Sequence, residues 1–419
     1  MNLRYPARNR IKMRVFTSKP KTAILTTCTT HIVQDGMSAT IYALLPILAQ
    51  AFGLSYAQVG VLKGLKGLSQ AVLEISSGWM SERIGERRLI VVGLALSGAG
   101  YLLLSIAPSA LLVAICLLII GAGTAFHHAP SSALIANNCP SATRSSALGL
   151  FNASGDVGKL AFTGCFSFAI GAGLAWHQIS ILYGMVAVFA AVGIAISIGA
   201  SSLMRHTETR EEPDTINQPD ITGWGILNWR SYGILLIVSS IDAMVQTSGL
   251  VFVAFLMLAK GLSLPVATGA TVLLLAGGIF GKAGCGYLAD RIGVSTAFAI
   301  IQTLTAVGLI AVVVAPTPLA FALLVPLGAV MQGTSSITYG FAADLIDHRR
   351  MARGYALLYS SGTFASAVGP LGIGIVADKF GIETAFYIVA VLAMLAVPPI
   401  FALRAESTTP RKDHPIRNG

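Results

Sequence analysis

Long apolar runs separated by short polar joins make up almost the whole chain. A helix needs about 20 mostly apolar residues to cross the hydrocarbon core of a bilayer. By that ruler six spans fall near 24–50, 57–80, 88–107, 110–137, 147–170 and 177–200. Six more fall near 231–258, 265–288, 294–315, 318–344, 353–376 and 383–403. Turn-forming residues mark the joins: Pro108, Pro140, Gly171 to Gly173, Pro265, Pro316 to Pro318 and Gly381. Between the two sets the chain turns polar from Ser201 to Trp229, with Arg205, Glu208, Arg210, Glu211, Glu212, Asp214 and Asp220, which reads as a solvated linker. The pattern predicts an all-α integral membrane protein of twelve transmembrane helices. Its expected parts are a basic arm at 1–23, a six-helix half at 24–200, a linker at 201–230, a second half at 231–403 and a tail at 404–419. An even number of crossings brings both ends to the same side.

The two halves are copies of one unit. Gly53-Leu54-Ser55 leads through an apolar segment to Gly78-Trp79-Met80-Ser81-Glu82-Arg83-Ile84-Gly85. At 208 positions further on, Gly261-Leu262-Ser263 leads to Gly286-Tyr287-Leu288-Ala289-Asp290-Arg291-Ile292-Gly293. Both loops fall on the same side, so the halves run in parallel register, an arrangement used by two-half membrane transporters.

Composition narrows the class further. Charged residues are 11% of the chain, against about 25% in soluble domains, and apolar residues are 54%, so a water-soluble globule is excluded. The net charge of +10 raises nucleic acid as a partner, but the placement of the charge argues against it. Of the lysines and arginines, Lys63, Lys66, Lys159 and Lys282 lie inside spans and Lys260 and Lys379 on the far side, while the rest share one face. That asymmetry is the positive-inside signature and predicts both termini in the cytoplasm. The cysteines (Cys28, Cys116, Cys139, Cys165, Cys285) show no paired spacing and read as buried small hydrophobes. The acid-free leader carries seven basic residues up to Lys21; it reads as a cytoplasmic arm, with a transit peptide as the competing idea and Met13 as an alternative start. No Gly-Lys-Ser/Thr nucleotide loop is present, so ATP drive is not expected, nor is any cofactor.

The run Gly78-Trp79-Met80-Ser81-Glu82-Arg83-Ile84-Gly85-Glu86-Arg87-Arg88 resembles the loop after the second helix of the major facilitator superfamily, Gly-x-x-x-Asp-Arg-x-Gly-x-Arg-Arg, with Glu82 in the Asp position. The second copy around Asp290-Arg291 keeps the Asp and lacks the second basic pair. The resemblance covers essentially the whole chain and implies that Gly78, Glu82, Arg83, Gly85, Arg87, Arg88, Gly286, Asp290, Arg291 and Gly293 serve conformational gating rather than ligand binding. A carboxylate near a helix end beside clustered arginines can latch two helices together. Shorter patterns, His31-Ile32-Val33-Gln34-Asp35 with Leu44-Leu45-Pro46, and Gly121-Ala122-Gly123 leading to Phe126-His127-His128-Ala129-Pro130, are similar to the fosmidomycin-resistance branch, whose members are proton-driven drug exporters.

Ionisable residues at lipid depth cost at least about 2.5–3.5 kcal/mol each, so they need a partner or a task. His31 and Asp35, four apart, share a face of the first helix. Asp35 is the first candidate for a proton carrier with His31 tuning it; a hydrogen-bonded pair that fixes packing is the alternative. Asp242, with Gln246 four residues on, stands one residue off the repeat register from Asp35 and is a second candidate, unless Ser239, Ser240 or Thr247 caps it. His127 and His128 invite a metal, but no Cys, Asp or Glu stands near them in sequence at ligand spacing, so none is expected. Packing serves either histidine as well as a substrate would. Asn152, Asp156, Lys159 and Thr163 form a polar stripe on the fifth helix. Asp156 and Lys159 could pair with each other, and the resemblance brings the fifth and eighth helices together, which offers Lys282 as a partner. An unpaired Lys159 or Lys282 would favour an anionic substrate group. Lys63, Lys66 and Glu74 lie on the second helix, where the two lysines are long enough to snorkel to the outer interface. Gln332 and Tyr339 complete the cavity candidates. The fifth helix lacks the Gly-Pro kink common in exporters of the superfamily, which leaves antiport less secured.

Together these readings predict a monomeric inner-membrane transporter without enzymatic activity. It would work by alternating access and export small organic compounds in exchange for protons; the alternative is proton-coupled uptake of a small organic anion.

Overall fold

The computed structural model describes residues 18–203, 223–347 and 350–407. Residues 1–17 of the arm, 204–222 of the linker and 408–419 of the tail lie outside the described residues, as does the side chain of Glu82. The first half contains α1 (Ser18–Phe52), α2 (Tyr56–Ile84), α3 (Glu86–Leu104), α4 (Ala110–Ala125), α5 (His128–Asn138), α6 (Ser141–Gly171) and α7 (Trp176–Leu203). The second contains α8 (Trp229–Ala259), α9 (Leu264–Ile292), α10 (Val294–Val314), α11 (Thr317–Ala322), α12 (Leu324–Asp344), α13 (Met351–Phe380), α14 (Ile382–Leu395) and α15 (Val397–Ser407). Strand pairing among the described residues is limited to one bridge, Ile226 to Ile346.

Three of the twelve spans are broken helices: α4 with α5, α11 with α12, and α14 with α15. The cause is proline. Pro130, Pro326 and Pro398 sit just beyond the breaks, and each lacks an N–H for, and crowds, the carbonyl four residues back, at Phe126, Ala322 and Met394. Among the described residues ten spans are long and apolar enough to cross a membrane, by length and composition. The other two, α2 and α6, have the length (29 and 31 residues) but carry lysines, acids and amides on one side. These two helices hold much of the polar machinery described below.

The duplication is written into the backbone. Gly53 and Gly261, Gly85 and Gly293, and Gly173 and Gly381 are three pairs 208 positions apart, and all six take positive φ between 61° and 92°. These are turn positions that a Cβ would strain. In the first, Gly53 reverses the chain, Leu54 N–H returns to Ala49 O at 2.9 Å, and Ser55 caps α2 in a capping box with Gln58.

At the end of the bundle away from the basic loops the two halves are packed shut. Asp378 at the end of α13 accepts from Ser55 Oγ (2.8 Å) and from the N–H groups of Tyr56 (2.8 Å) and Ala57 (2.9 Å), so a carboxylate of one half caps a helix of the other. Tyr56 stands edge-on to Phe252 and Phe255, and residues 250–257 are buried without a break. Gly60 lies directly on the Pro370 backbone and Gly374 on that of Tyr56, so α2 and α13 touch main chain to main chain.

Candidate functional site

Midway along the bundle a chain of ionic contacts runs from α5 through α1 and α6 to α9. His31 and Asp35 project from consecutive turns of α1, with His31 Nε2 lying 3.2 Å from Asp35 Oδ2. His128 Nε2 lies 3.4 Å from Asp35 Oδ1, and Lys159 Nζ 3.1 Å from Asp35 Oδ2. Lys159 also contacts Asp156 Oδ1 at 3.2 Å. Asp156 then receives Lys282 Nζ at 2.6 Å and 2.8 Å on its two oxygens, which joins the first half to the second. With the histidines neutral, two carboxylates face two ammonium groups, so the chain carries no net charge. Gly155 makes room for it: a methyl there would come within 2.5 Å of His31 Cε1 and 2.9 Å of Asp35 Oδ2.

The histidine pairing carries a chemical constraint. His31 Nδ1 lies 2.7 Å from the Phe151 carbonyl, which can only accept, so Nδ1 carries a hydrogen. The neutral ring then turns a lone pair at Nε2 toward a carboxylate oxygen, off hydrogen-bond alignment. A second proton, on either Nε2 or Asp35, relieves that opposition. Phe151 stacks on the ring at a centroid distance of 3.9 Å and holds its plane. His31, Asp35 and His128 also bring one ligand atom each within 4.8 Å of one another, an acid neighbour of His128 that sequence spacing did not show. Lys159 already supplies the cation at that carboxylate, and its ammonium opposes a divalent ion there.

Beside this chain lies a cavity of about 250 Å³ between α1, α2, α8, α12 and α13. Lys63 and Lys66 line it and are only 5% and 4% exposed, so they do not snorkel to the interface. Lys66 Nζ donates to Ser38 Oγ (2.6 Å) and Gln70 Oε1 (3.2 Å); Lys63 Nζ stands 5.1 Å from the centre of the Tyr42 ring. Neither has a carboxylate at ion-pair distance among the described residues. Rotation of α2 sets this outcome, because Gly60, Gly64 and Gly67 press the neighbouring flank of the helix against α13. Asp242 and Gln246 border the same cavity, with Tyr339. Asp242 accepts from Gln246 Nε2 (2.7 Å), Gln302 Nε2 (2.7 Å) and Thr334 Oγ1 (2.8 Å), a carboxylate held by neutral donors rather than by the serines near it in sequence.

The register mate of Asp242 is Gln34, not Asp35. Gln34 Nε2 donates to Ser97 Oγ (2.8 Å) and Thr124 Oγ1 (3.1 Å), joining α1 to α3 and α4 much as Asp242 joins α8 to α10 and α12. One residue is about 100° of helix, so Asp35 looks instead at α6.

The other predicted residues divide. His127, at the break between α4 and α5, is fully buried beside the His31 ring, with both nitrogens unpartnered. Gln332 is drawn away from the cavity to the Leu274 carbonyl (3.2 Å) over Gly278. Asn152 is exposed and also stands off the cavity.

Two matches of the family model described as Major Facilitator Superfamily, to residues 27–284 and 234–418, cover most of the chain. The chain belongs to the major facilitator superfamily. It is therefore a multi-pass membrane transporter, not an enzyme. It is 23% identical to the uncharacterized MFS-type transporter YfnC of Bacillus subtilis over 374 residues, 88% of this chain and 89% of that one. It is also 23% identical to the fosmidomycin resistance protein of Escherichia coli, over 129 residues, 31% of this chain and 32% of that one. A bacterial homolog of the human lysosomal transporter Spinster, in an inward-facing and occupied conformation, superposes with a TM-score of 0.77 at 15% identity over 93% of this chain and 98% of that one, which shows the shared fold.

The family's loop after the second helix appears twice as a glycine-hinged helix junction. Arg83 closes α2, Gly85 turns at φ 92°, and Arg87 and Arg88 open α3, where Glu86 accepts from Asn137 Nδ2 of α5 at 2.8 Å. In the second copy Gly293 turns at φ 85°; Gly286, Asp290 and Arg291 lie in the last two turns of α9, and the Arg291 guanidinium stands 4.9 Å from the Tyr287 ring centre.

Proposed function

We propose that this protein is a proton-driven exporter of small organic compounds, working by alternating access in a bacterial inner membrane with both termini cytoplasmic. The observation that carries the reading is the ionic chain through Asp35. His31 with Asp35 gives one extra proton two homes, and Lys159, Asp156 and Lys282 connect that proton's charge to the opposite half. Protonation of Asp35 removes its hold on Lys159, which then leans on Asp156 and competes there with Lys282. The link between halves weakens as a proton is gained, which is the coupling alternating access needs. The two glycine-hinged loops, with their acidic and basic residues, are the gating elements in this reading. Likeness to a fosmidomycin resistance protein supports outward transport.

The test is solute-induced proton movement in proteoliposomes, wild type against Asp35→Asn, over a panel of hydrophobic drugs and organic anions. Drugs that release lumenal protons, with the effect lost in the variant, fit the proposal. Solute and proton moving in the same direction would establish the uptake alternative. Coupling unchanged in Asp35→Asn would move the proton site elsewhere.

A further inference from the structure

We infer that Lys63 and Lys66 form a subsite for the acidic head group of the transported solute, so that the substrates are small organic acids bearing a carboxylate, phosphate or phosphonate. The inference rests on reading the chain as a solute transporter whose solute occupies the cavity between its halves.

The reasoning starts from the ionic groups. The lysines on α6 and α9 are consumed by Asp35 and Asp156, so the protein neutralises them itself. The two on α2 are not neutralised, although they are the better buried. Burying two ammonium groups three residues apart without an acid is unfavourable both for lost hydration and for mutual repulsion. Ionisable residues at lipid depth mark substrate or ion pathways, and a mobile anion would complete such a pair.

The surroundings fit an anion with an organic body. Lys66 spends two of its three N–H donors on Ser38 and Gln70, which hold the ammonium in place and leave one donor for a ligand. Lys63 rests on the Tyr42 ring and makes no hydrogen bond among the described residues, so its donors remain available. The acids nearest to the two lysines are engaged elsewhere or stand off, and Asp35, one turn from Ser38 on α1, is held by Lys159 at 3.1 Å. Asp242 is occupied by Gln246, Gln302 and Thr334, and Glu74 lies two turns along α2 from Lys66, off the cavity lining. On the α12 and α13 side, Tyr339 and Tyr359 stand with ring centres 5.0 Å apart and both line the cavity, an aromatic wall for the uncharged part of the solute. A volume of about 250 Å³ suits a molecule of drug-fragment size.

The experiment compares acids with uncharged isosteres. The full chain, purified in detergent at fixed pH, is titrated with salicylate, phenylphosphonate, salicylamide and tetraphenylphosphonium, and binding is read as a shift in melting temperature. The same titrations follow in Lys63→Met, Lys66→Met and Lys66→Arg. The expected result is that at least one acid binds, salicylamide and tetraphenylphosphonium do not, each Met variant binds the acid at least about tenfold more weakly, and the Arg variant retains it. Amide or cation binding as tight as acid binding would overturn the inference. So would acid binding unchanged in both Met variants, or no acid bound at millimolar concentration. The acid-against-amide comparison needs no variant, so it decides the matter even if Lys66→Met fails to fold. Because binding at fixed pH reads no proton movement, failure here leaves proton-coupled export standing, and loss of proton coupling leaves an acid-binding cavity standing.

Discussion

If Asp156 joins the halves through Lys282, then Asp156→Asn should loosen one half from the other without unfolding either. The pair consists of two charge-assisted hydrogen bonds, at 2.6 Å and 2.8 Å. Such bonds contribute about 1.5–3 kcal/mol each when fully buried. The Lys282 side chain is 31% exposed, so water recovers part of its solvation once the acid is gone, and about 2 kcal/mol in all is a reasonable loss. At about 1.4 kcal/mol per factor of ten, that moves the equilibrium between facing states roughly 30-fold. The shift is readable as a distance distribution between spin labels at Leu174→Cys and Ser263→Cys, exposed positions on opposite halves at the closed end, in a background lacking the native cysteines. Asp156→Asn and Lys282→Gln should each transfer population to longer distances. The double variant should be no worse than either single one, because the second change removes a group that has already lost its partner. Distributions unchanged in both single variants, or a double variant equal to the sum of the two, would refute the link.

Three further outcomes follow from named contacts. Gly155→Val places methyl groups against His31 and Asp35, so proton coupling should disappear while the melting temperature falls by only a few degrees; coupling retained would separate that pair from the proton. Asp378→Asn removes a charged cap shared by three donors across the halves, worth about 1–2 kcal/mol, and a cysteine at Phe252 should then react faster with a water-soluble thiol reagent. Gly281→Val drives a side chain into the Ala329 carbonyl where α9 meets α12, and about 1–3 kcal/mol or more of stability should be lost in thermal unfolding; an unmoved transition would mean those helices are not in main-chain contact.

Much of the architecture was legible because bilayer thickness sets a length and turns demand glycine. A 20-residue ruler found the spans, and the glycines at 53, 85, 261 and 293 that framed the repeat are positions where the backbone takes positive φ. The internal breaks were not read, since Pro130, Pro326 and Pro398 sit inside apolar runs that hydropathy alone treats as continuous. Within the site, the pairing of Asp156 with Lys159 followed from spacing on one helix, whereas contact of His128 with Asp35 depends on how α5 is set against α1. Gln34 drew no notice because a single amide in an apolar helix carries no charge signal. The 208-residue offset pairs it with Asp242, but only its bonds to Ser97 and Thr124 show that it joins three helices as Asp242 does.

The lysines show why helix rotation had to come from packing. Lys63, Lys66, Lys159 and Lys282 all stand in the sequence as cations at lipid depth, and only for Lys159 does spacing on its own helix offer an acid within one turn. The fold sorts them into two sets with different tasks. Lys159 and Lys282 complete a neutral chain with two acids, so adding a proton there changes which partners hold. Lys63 and Lys66 face a cavity where no carboxylate comes within ion-pair distance of them among the described residues, so adding an anion there changes the charge of the cavity. The two sets meet on α1. Asp35 and Ser38 are three residues apart on one face, and Ser38 Oγ is the atom that holds Lys66. A proton arriving at Asp35 therefore acts less than one helical turn from the hydroxyl that positions a solute-facing lysine. That is a direct route by which proton occupancy could set solute affinity, and Ser38→Ala, which cuts it at one hydroxyl, should make solute affinity less sensitive to pH. Affinity in Ser38→Ala that tracks pH as steeply as in wild type would mean that the two sites communicate through the rocking of the halves alone.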